Sequence, residues 1–191
     1  MPAVLSVIIP CNGEEAPVVD TLAPLVSGAA SGVIREVLLI DRTASDAIAR
    51  VADITGCTYL ASAGSQAAAL ATGAARARSP RLMLLHPGTV LDAGWNDEVS
   101  RFIERAAMAD KPRAAIFRPA PSPYAEPGLR LSLAMLWRSL ARPSPDQGLV
   151  IARDHYNRLG GHMPDGPRAE TRLFARLGAS RTLLRSRIVI P

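Results

Sequence analysis

Polar side chains follow three apolar segments of the chain at the point where each segment ends. The segment SVIIPCN ends in Pro10, Cys11 and Asn12, EVLLID ends in Asp41, and LMLLH ends in His86. Ligands of open α/β sheets bind where the carboxyl ends of parallel strands meet. The sequence therefore predicts one ligand cleft around these residues, with Asp41 as its carboxylate. The alternative is that Asp41 only caps backbone amides at the end of its strand.

The segments between these apolar runs have the residue spacing of helices. Helices are predicted over residues 14–27, from Ser45 or Asp46 to Gly56, over 64–77 and over 95–108. Strands are predicted over residues 36–40, 57–61, 82–85, 114–117 and 149–152. Strands that alternate with helices in this way are typical of βαβ units. We expect an α/β fold, with a mostly parallel sheet flanked by helices on both faces.

Length and composition restrict the class of protein. A chain of 191 residues suits one domain, residues 1–191. It contains no long apolar run and no signal-peptide pattern, so we expect a cytoplasmic protein. Cys11 and Cys57 are isolated and are interpreted as packing residues. The net charge of +5 comes mostly from arginine, which suits phosphate recognition, but only 4% of residues are aromatic, which argues against nucleic-acid binding.

The first two polar-ended segments resemble a known enzyme family. SVIIPCNGEE and EVLLIDRTASD are similar to the opening blocks of family 2 glycosyltransferases of the GT-A fold, and the resemblance extends over about residues 4–178. It implies a Rossmann-like sheet and transfer of a sugar from a nucleotide-diphosphate donor to a hydroxyl acceptor. The nucleotide-binding half would span about residues 1–95 and the acceptor half about 96–191. The implied nucleotide-binding residues are Pro10, Cys11, Asn12, Glu14, Asp41, Arg42, His86 and Gly88.

Two later blocks supply the catalytic candidates that the resemblance implies. PDQGLVIARDHYNRLGG is similar to a family block on the acceptor side of the cleft, which assigns Asp146 to that side. AETRL places Glu170 where the family has an aspartate that deprotonates the acceptor. A carboxylate is suited to proton abstraction. The alternatives are that Asp146 caps a turn and that Glu170 is an exposed residue in the first turn of a helix.

The chain departs from the family at the position of the metal ligand. The resemblance implies a divalent cation held by an aspartate after the fourth strand, but Pro87 and Gly88 stand in this region and offer no side-chain oxygen. We therefore assign no metal ligand, expect no confident cofactor, and treat manganese or magnesium binding as doubtful. Arg42 could supply positive charge to a phosphate instead. For His86, a buried hydrogen-bonded histidine is the alternative to a role in the site.

Two functions remain open from the sequence. One is a glycosyltransferase with altered or absent metal dependence, in which Glu170 is the base and arginines stabilise the leaving diphosphate. The other is a catalytically silent relative, a pseudoenzyme that binds a nucleotide or a partner protein. The apolar segment from Leu129 to Leu140 is predicted to be a helix that covers the sheet, and the alternative is peripheral contact with a membrane.

Overall fold

The computed structural model describes residues 4–121, 144–163 and 168–190. The strands are β1 (Leu5–Cys11), β2 (Ile34–Asp41), β3 (Thr58–Ala61), β4 (Arg81–Leu84), β5 (Val90–Leu91), β6 (Ala114–Ala120), β7 (Leu149–Ala152) and β8 (Arg181–Val189). The α-helices are α1 (Glu15–Leu22), α2 (Leu25–Ala30), α3 (Asp46–Thr55), α4 (Gln66–Arg76), α5 (Trp95–Ala107), α6 (Arg153–Arg158) and α7 (Ala169–Leu177). Short 3-10 helices span Pro145–Gln147 and Gly178–Ser180.

The described strands form one mixed sheet in the order β3-β2-β1-β4-β7-β6-β8-β5. The first four strands of this order are parallel, as predicted. The other half of the sheet is mixed, which corrects the expectation there: β6 and β8 are parallel, but β7 runs antiparallel to both β4 and β6, and β5 runs antiparallel to β8. The reason is that β7 begins at the edge where β6 ends and runs back between β4 and β6. The α/β class is confirmed.

Helices cover both faces of the sheet. One buried cluster packs side chains of α1, α2, α3 and α5 against the sheet, and a second packs those of α4, α6 and α7. All seven residues of β1 are buried, which explains its continuous apolar sequence. The alanine-rich α4 lies so close that a Cβ on Gly73 would be 2.4 Å from Ile8 Cγ2. A side chain at this position would push α4 away from β1 and β2.

Three local predictions need correction. The helix predicted over residues 14–27 is divided into α1 and α2, because Pro24 has no amide hydrogen and stands as the N-cap of α2. Ser45, and not Asp46, caps α3, since its side chain accepts a hydrogen bond from the Ala47 amide at 3.1 Å. Strands β5 and β8 were not predicted. The segment from Leu129 to Leu140 lies outside the described residues, so its predicted role stays a prediction.

No helix among the described residues is long and apolar enough to span a membrane.

Candidate active site

The registers of four strands bring the candidate residues to one edge of the sheet. Cys11 at the end of β1 lies beside Asp41 at the end of β2, and β4 flanks β1 on its other side with Leu84 opposite Ile8. His86 follows β4 two residues later, at the same edge. Because β7 runs antiparallel to β4, with Leu149 opposite Leu84, the residues that precede β7 reach this edge as well. Asp146 is therefore placed next to the residues that follow β4.

Asp41 is fully buried at this edge, and its carboxylate is held by its own loop. Oδ1 accepts hydrogen bonds from the Thr43 amide at 3.3 Å and the Thr43 hydroxyl at 3.1 Å. Oδ2 accepts one from the Ser45 amide at 2.5 Å. The capping role weighed from the sequence is thus present, and it fixes the turn that leads from β2 into α3. Direct contact between Asp41 and a nucleotide stays a prediction.

Replacing Asp41 with alanine is expected to lower the free energy of unfolding by about 1–3 kcal/mol, because the amides of Thr43 and Ser45 lose their charged acceptor. The affinity for a nucleotide should fall as well, since the loop lies at the binding edge. Urea unfolding and calorimetry measure the two effects. The control is Asp46→Ala, which removes an exposed carboxylate from the first turn of α3. Unchanged stability of Asp41→Ala would contradict the structural role of the carboxylate.

The other predicted nucleotide-binding residues differ in their exposure. Pro10 and Cys11 are buried within β1, whereas Asn12 and Glu14 are exposed at its end. Burial, with a smaller contribution from the Asp41 charge, raises the pKa of the Cys11 thiol to about 12, so the thiol stays protonated and unreactive. Arg42 donates from Nε to the Gly64 carbonyl at 3.0 Å, which ties the loop after β2 to the loop before α4.

The turn after β4 is fixed by hydrogen bonds to backbone atoms. The His86 carbonyl accepts from the Thr89 hydroxyl at 2.6 Å and from the Thr21 hydroxyl at 3.3 Å. The Gly88 amide donates to the Pro17 carbonyl at 2.8 Å, and Gly88 has a φ of +86° that favours glycine. These bonds hold the turn against α1 and fix the backbone from which the His86 side chain projects.

His86 joins two carboxylates at the centre of the site. Its Nε2 lies 2.8 Å from Glu170 Oε2, and its Nδ1 lies 4.0 Å from Asp146 Oδ1. The other oxygen of Glu170 accepts from Gln66 Nε2 at 3.1 Å. The Asp146 carboxylate accepts from the Ser144 hydroxyl at 2.9 Å. The structure thus brings together both catalytic candidates and one of the candidate nucleotide-binding residues. His86 Nδ1 is buried and has no hydrogen-bond partner among the described residues.

The surroundings of Glu170 change the pKa of its carboxyl group. Burial raises the pKa of Glu170, but the hydrogen bond and charge of His86, the charge of His162 and the hydrogen bond from Gln66 together lower it below its ordinary value. Its side chain is only 18% exposed. The Glu170 carboxylate is therefore ionised at neutral pH, which is the form that can accept a proton from a substrate hydroxyl.

His162 is a residue of this region that sequence reasoning missed. It is buried, and this burial lowers its pKa to about 4, an effect that the Glu170 charge opposes and the His86 charge reinforces. The Tyr156 hydroxyl lies 3.0 Å from His162 Nδ1 and also accepts the His162 amide at 3.0 Å. Nothing in the spacing of the sequence connects His162 with His86, because α6 and the turn at Gly160-Gly161 bring them together.

A cavity of about 380 Å³ opens beside the two carboxylates. Its lining includes Ser65 and Gln66 from the start of α4, Asp146, and Arg168, Glu170 and Thr171 from the start of α7. Arg168 has a φ of +58°, which a non-glycine residue rarely adopts. A polar cavity with one cation and two carboxylates on its walls can hold a hydroxylated substrate.

The donor set does not fit a divalent cation. Among residues 4–121, 144–163 and 168–190, no group of three or more His, Cys, Asp or Glu side chains is arranged to hold a metal ion. Pro87 and Gly88 contribute no side-chain oxygen to the turn after β4. The expected lack of a metal ligand stays a prediction, which a comparison of nucleotide binding with and without manganese can test.

Solved structures share the fold of this chain, although no protein-family model and no curated protein sequence matches it. S. aureus TarS 1-349 matches with a TM-score of 0.66 and 9% identity, over 100% of this chain and 58% of that chain. The mannosyltransferase PcManGT from Pyrobaculum calidifontis, in complex with GDP-Man and Mn2+, matches with a TM-score of 0.66 and 17% identity, over 99% and 57%. The chain thus spans less than two thirds of either protein. At such low identity the likeness shows the fold alone, which this chain shares with TarS and with the mannosyltransferase.

Proposed function

We propose that this protein transfers a sugar from a nucleotide-diphosphate donor to a hydroxyl acceptor, as a divergent member of glycosyltransferase family 2. The observation that carries the proposal is the meeting of Glu170, His86 and Asp146 at the carboxyl edge of β1, β2 and β4. This is the edge at which open α/β sheets bind ligands. The glycosyltransferase fold supports the proposal, since the matched mannosyltransferase was solved with GDP-Man.

In this reaction Glu170 is the general base. The acceptor oxygen forms a bond to the anomeric carbon of the donor sugar, and its proton passes to the Glu170 carboxylate. The bond from the anomeric carbon to the diphosphate breaks, and the nucleoside diphosphate leaves with the bonding electrons. Glu170 Oε2 is oriented by His86 at 2.8 Å and Oε1 by Gln66 at 3.1 Å. His86 is therefore a positioning residue. Asp146 lies on the other side of the imidazole, with its Oδ1 4.0 Å from His86 Nδ1, and its charge helps to orient the ring.

Charge on the leaving group has to be stabilised by other side chains. Arg168 lines the cavity beside Glu170, and Arg42 lies in the loop after β2 at the same edge of the sheet. A guanidinium can donate two hydrogen bonds to a phosphate group, which lowers the cost of the developing charge. The exposed Asn12 and Glu14 at the end of β1 are then in position to contact the nucleoside.

A silent nucleotide-binding relative is the second candidate. It is favoured by Gly88, which stands at the place of the family's metal ligand and offers no side-chain oxygen. The two candidates differ in turnover. Calorimetric titration with uridine and guanosine diphosphates identifies the nucleotide, and the matching nucleotide sugars are then assayed for release of the diphosphate. Binding without release would favour the silent relative, and neither binding nor release would contradict both candidates.

Manganese is expected to change the nucleotide-diphosphate affinity less than about threefold, or roughly 0.7 kcal/mol. The reason is that the turn after β4 offers no side-chain oxygen at Gly88. Calorimetry with and without manganese measures the difference. Gly88→Asp restores a carboxylate and should introduce manganese dependence, although the φ of +86° strains any other residue there. Strong manganese dependence of the unmodified protein would show that Asp92, His86 or another group binds the cation.

A further inference from the structure

A second cavity of about 400 Å³ lies between α5 and β8. Its walls include Asp92, Gly94, Glu98, Arg101, Arg105 and Arg185. None of these residues lines the cavity beside Glu170. The volume falls within the range of about 300–1,000 Å³ that is usual for small-molecule sites. The proposed sugar transfer makes no use of this cavity.

Three guanidinium groups meet at this cavity from two elements. Arg101 and Arg105 are one turn apart on the exposed face of α5, and Arg185 is exposed on β8. Among the described residues, none of the three forms an ion pair within 4.0 Å. Arg105 Nε donates to the Arg101 carbonyl at 3.3 Å. Like charges four residues apart on a helix repel each other, so a bound anion would relieve this repulsion.

On the β8 side of the cavity, two backbone amides already bind a carboxylate of the chain itself, that of Glu98. Between Ile116 and Arg118 the register of β6 against β8 shifts, since these residues pair with Leu183 and Arg187. In this irregular stretch the Arg185 amide donates to Glu98 Oε1 at 2.7 Å. The next amide along the chain donates to Glu98 Oε2 at 2.5 Å. Both amides thus donate to the same carboxylate and favour negative charge at this position.

Glu98 does not cancel the charge of the arginines by pairing with them. Burial raises the pKa of Glu98, but the amide hydrogen bonds and the Arg185 charge lower it below its ordinary value, so the carboxylate is ionised. Both of its oxygens are occupied by backbone amides. With Glu98 and Asp92 counted against the three arginines, the walls retain one excess positive charge, and the guanidinium donors remain available.

We infer that this cavity binds a phosphate group, carried either by a soluble phosphorylated molecule or by a phospholipid headgroup. Guanidinium groups pair with phosphate through two parallel hydrogen bonds. A phosphate monoester offers three oxygens and up to two charges, which matches three guanidiniums better than a single carboxylate does. The site lies at the β5 edge of the sheet, so a phosphate held there leaves the cleft at the ends of β1, β2 and β4 free.

The test compares two double variants of equal charge in the full chain. Arg101→Gln/Arg185→Gln removes two cations of the cavity. Arg35→Gln/Arg50→Gln removes two exposed cations, from β2 and α3, that line neither cavity. The probes are inorganic phosphate, measured by calorimetry, and phosphatidylcholine vesicles with and without phosphatidic acid, measured by cosedimentation. Thermal unfolding checks that both variants fold.

The cavity variant is expected to lose at least about tenfold in affinity, as charge-assisted hydrogen bonds are removed, and the control less than about twofold. If the unmodified protein binds inorganic phosphate and the cavity variant loses this binding, the ligand is a soluble phosphorylated molecule. If the unmodified protein binds the phosphatidic acid vesicles but hardly binds free phosphate, and the cavity variant loses vesicle binding, the ligand is a phospholipid headgroup. The inference is overturned if the unmodified protein binds neither probe, or if both variants bind alike. Since Glu170 and His86 are intact in both variants, the outcome does not depend on the proposed sugar transfer.

Discussion

Glu170→Gln is expected to reduce sugar transfer by about 10²- to 10⁴-fold, the usual contribution of a general base. Glutamine has nearly the same shape as glutamate and keeps an oxygen that can accept from His86, so the cavity should be preserved. What it loses is the capacity to take the acceptor proton. The loss should therefore appear in kcat, while the KM for the nucleotide sugar stays nearly unchanged.

Glu104→Gln is the matched control for this experiment. It makes the same chemical change at an exposed position of α5, and should leave transfer unchanged. Asp146→Asn distinguishes the role of Asp146 from that of Glu170. Asp146 Oδ1 lies 4.0 Å from His86 Nδ1, so the loss of its charge should reduce transfer less than Glu170→Gln does. If Glu170→Gln keeps most of the activity while Asp146→Asn loses it, the base has been assigned to the wrong carboxylate.

The first half of the fold could be predicted because local signals agree there. Each of the first four strands is a short apolar run, and helical spacing separates them along the chain. The second half depends on contacts that are distant in sequence. In β8, Arg185 and Arg187 alternate with buried Ser186 and Ile188, a pattern of period two that indicates a strand with one exposed face. This signal was present in the sequence but was missed.

The residues of the candidate site could be named from the sequence, but the contacts between them could not. The resemblance gave Asp146 and Glu170, and the end of an apolar run gave His86. That Glu170 contacts His86 follows only from the fold, because 84 residues separate them. Similarly, sequence alone left Asp41 undecided between capping and ligand binding, since both roles require a carboxylate at the end of a strand. The hydrogen bonds to Thr43 and Ser45 show the first role without testing the second.

Lowering the pH from 7 to 5 is expected to destabilise the protein by roughly 2 kcal/mol through His162, since each unit below the unfolded-state pKa contributes about 1.36 kcal/mol. Burial lowers the pKa of His162 from 6.5 to about 4. Between these values the unfolded chain binds a proton that the folded chain does not. The contribution is therefore complete above pH 6.5 and declines as the pH falls toward 4. Protonation would also change the contact between His162 Nδ1 and the Tyr156 hydroxyl, which lie 3.0 Å apart.

Glu36, Glu98 and Glu170 do not confound this pH range. Burial raises the pKa of Glu36, Glu98 and Glu170, but their hydrogen bonds lower it below 4.5, so their stabilising contribution is present above 4.5 and is lost only as the pH falls further. His155 acts in the same direction as His162, because burial, reinforced by the Arg158 charge, lowers its pKa.

Urea unfolding at pH 7 and pH 5 separates the two histidines. His162→Gln keeps a neutral polar side chain and should reduce the difference in unfolding free energy between the two pH values by roughly 2 kcal/mol. His155→Gln is the control for removal of a buried histidine, and should leave the His162 contribution in place. A difference between pH 7 and pH 5 that is the same in His162→Gln as in the unmodified protein would show that His162 has the same pKa in the folded and unfolded states, and would contradict the lowering of its pKa by burial. An imidazole with its ordinary pKa would carry positive charge near Glu170 at pH 5, so the base would act beside a cation at that pH and beside a mostly neutral ring at pH 7.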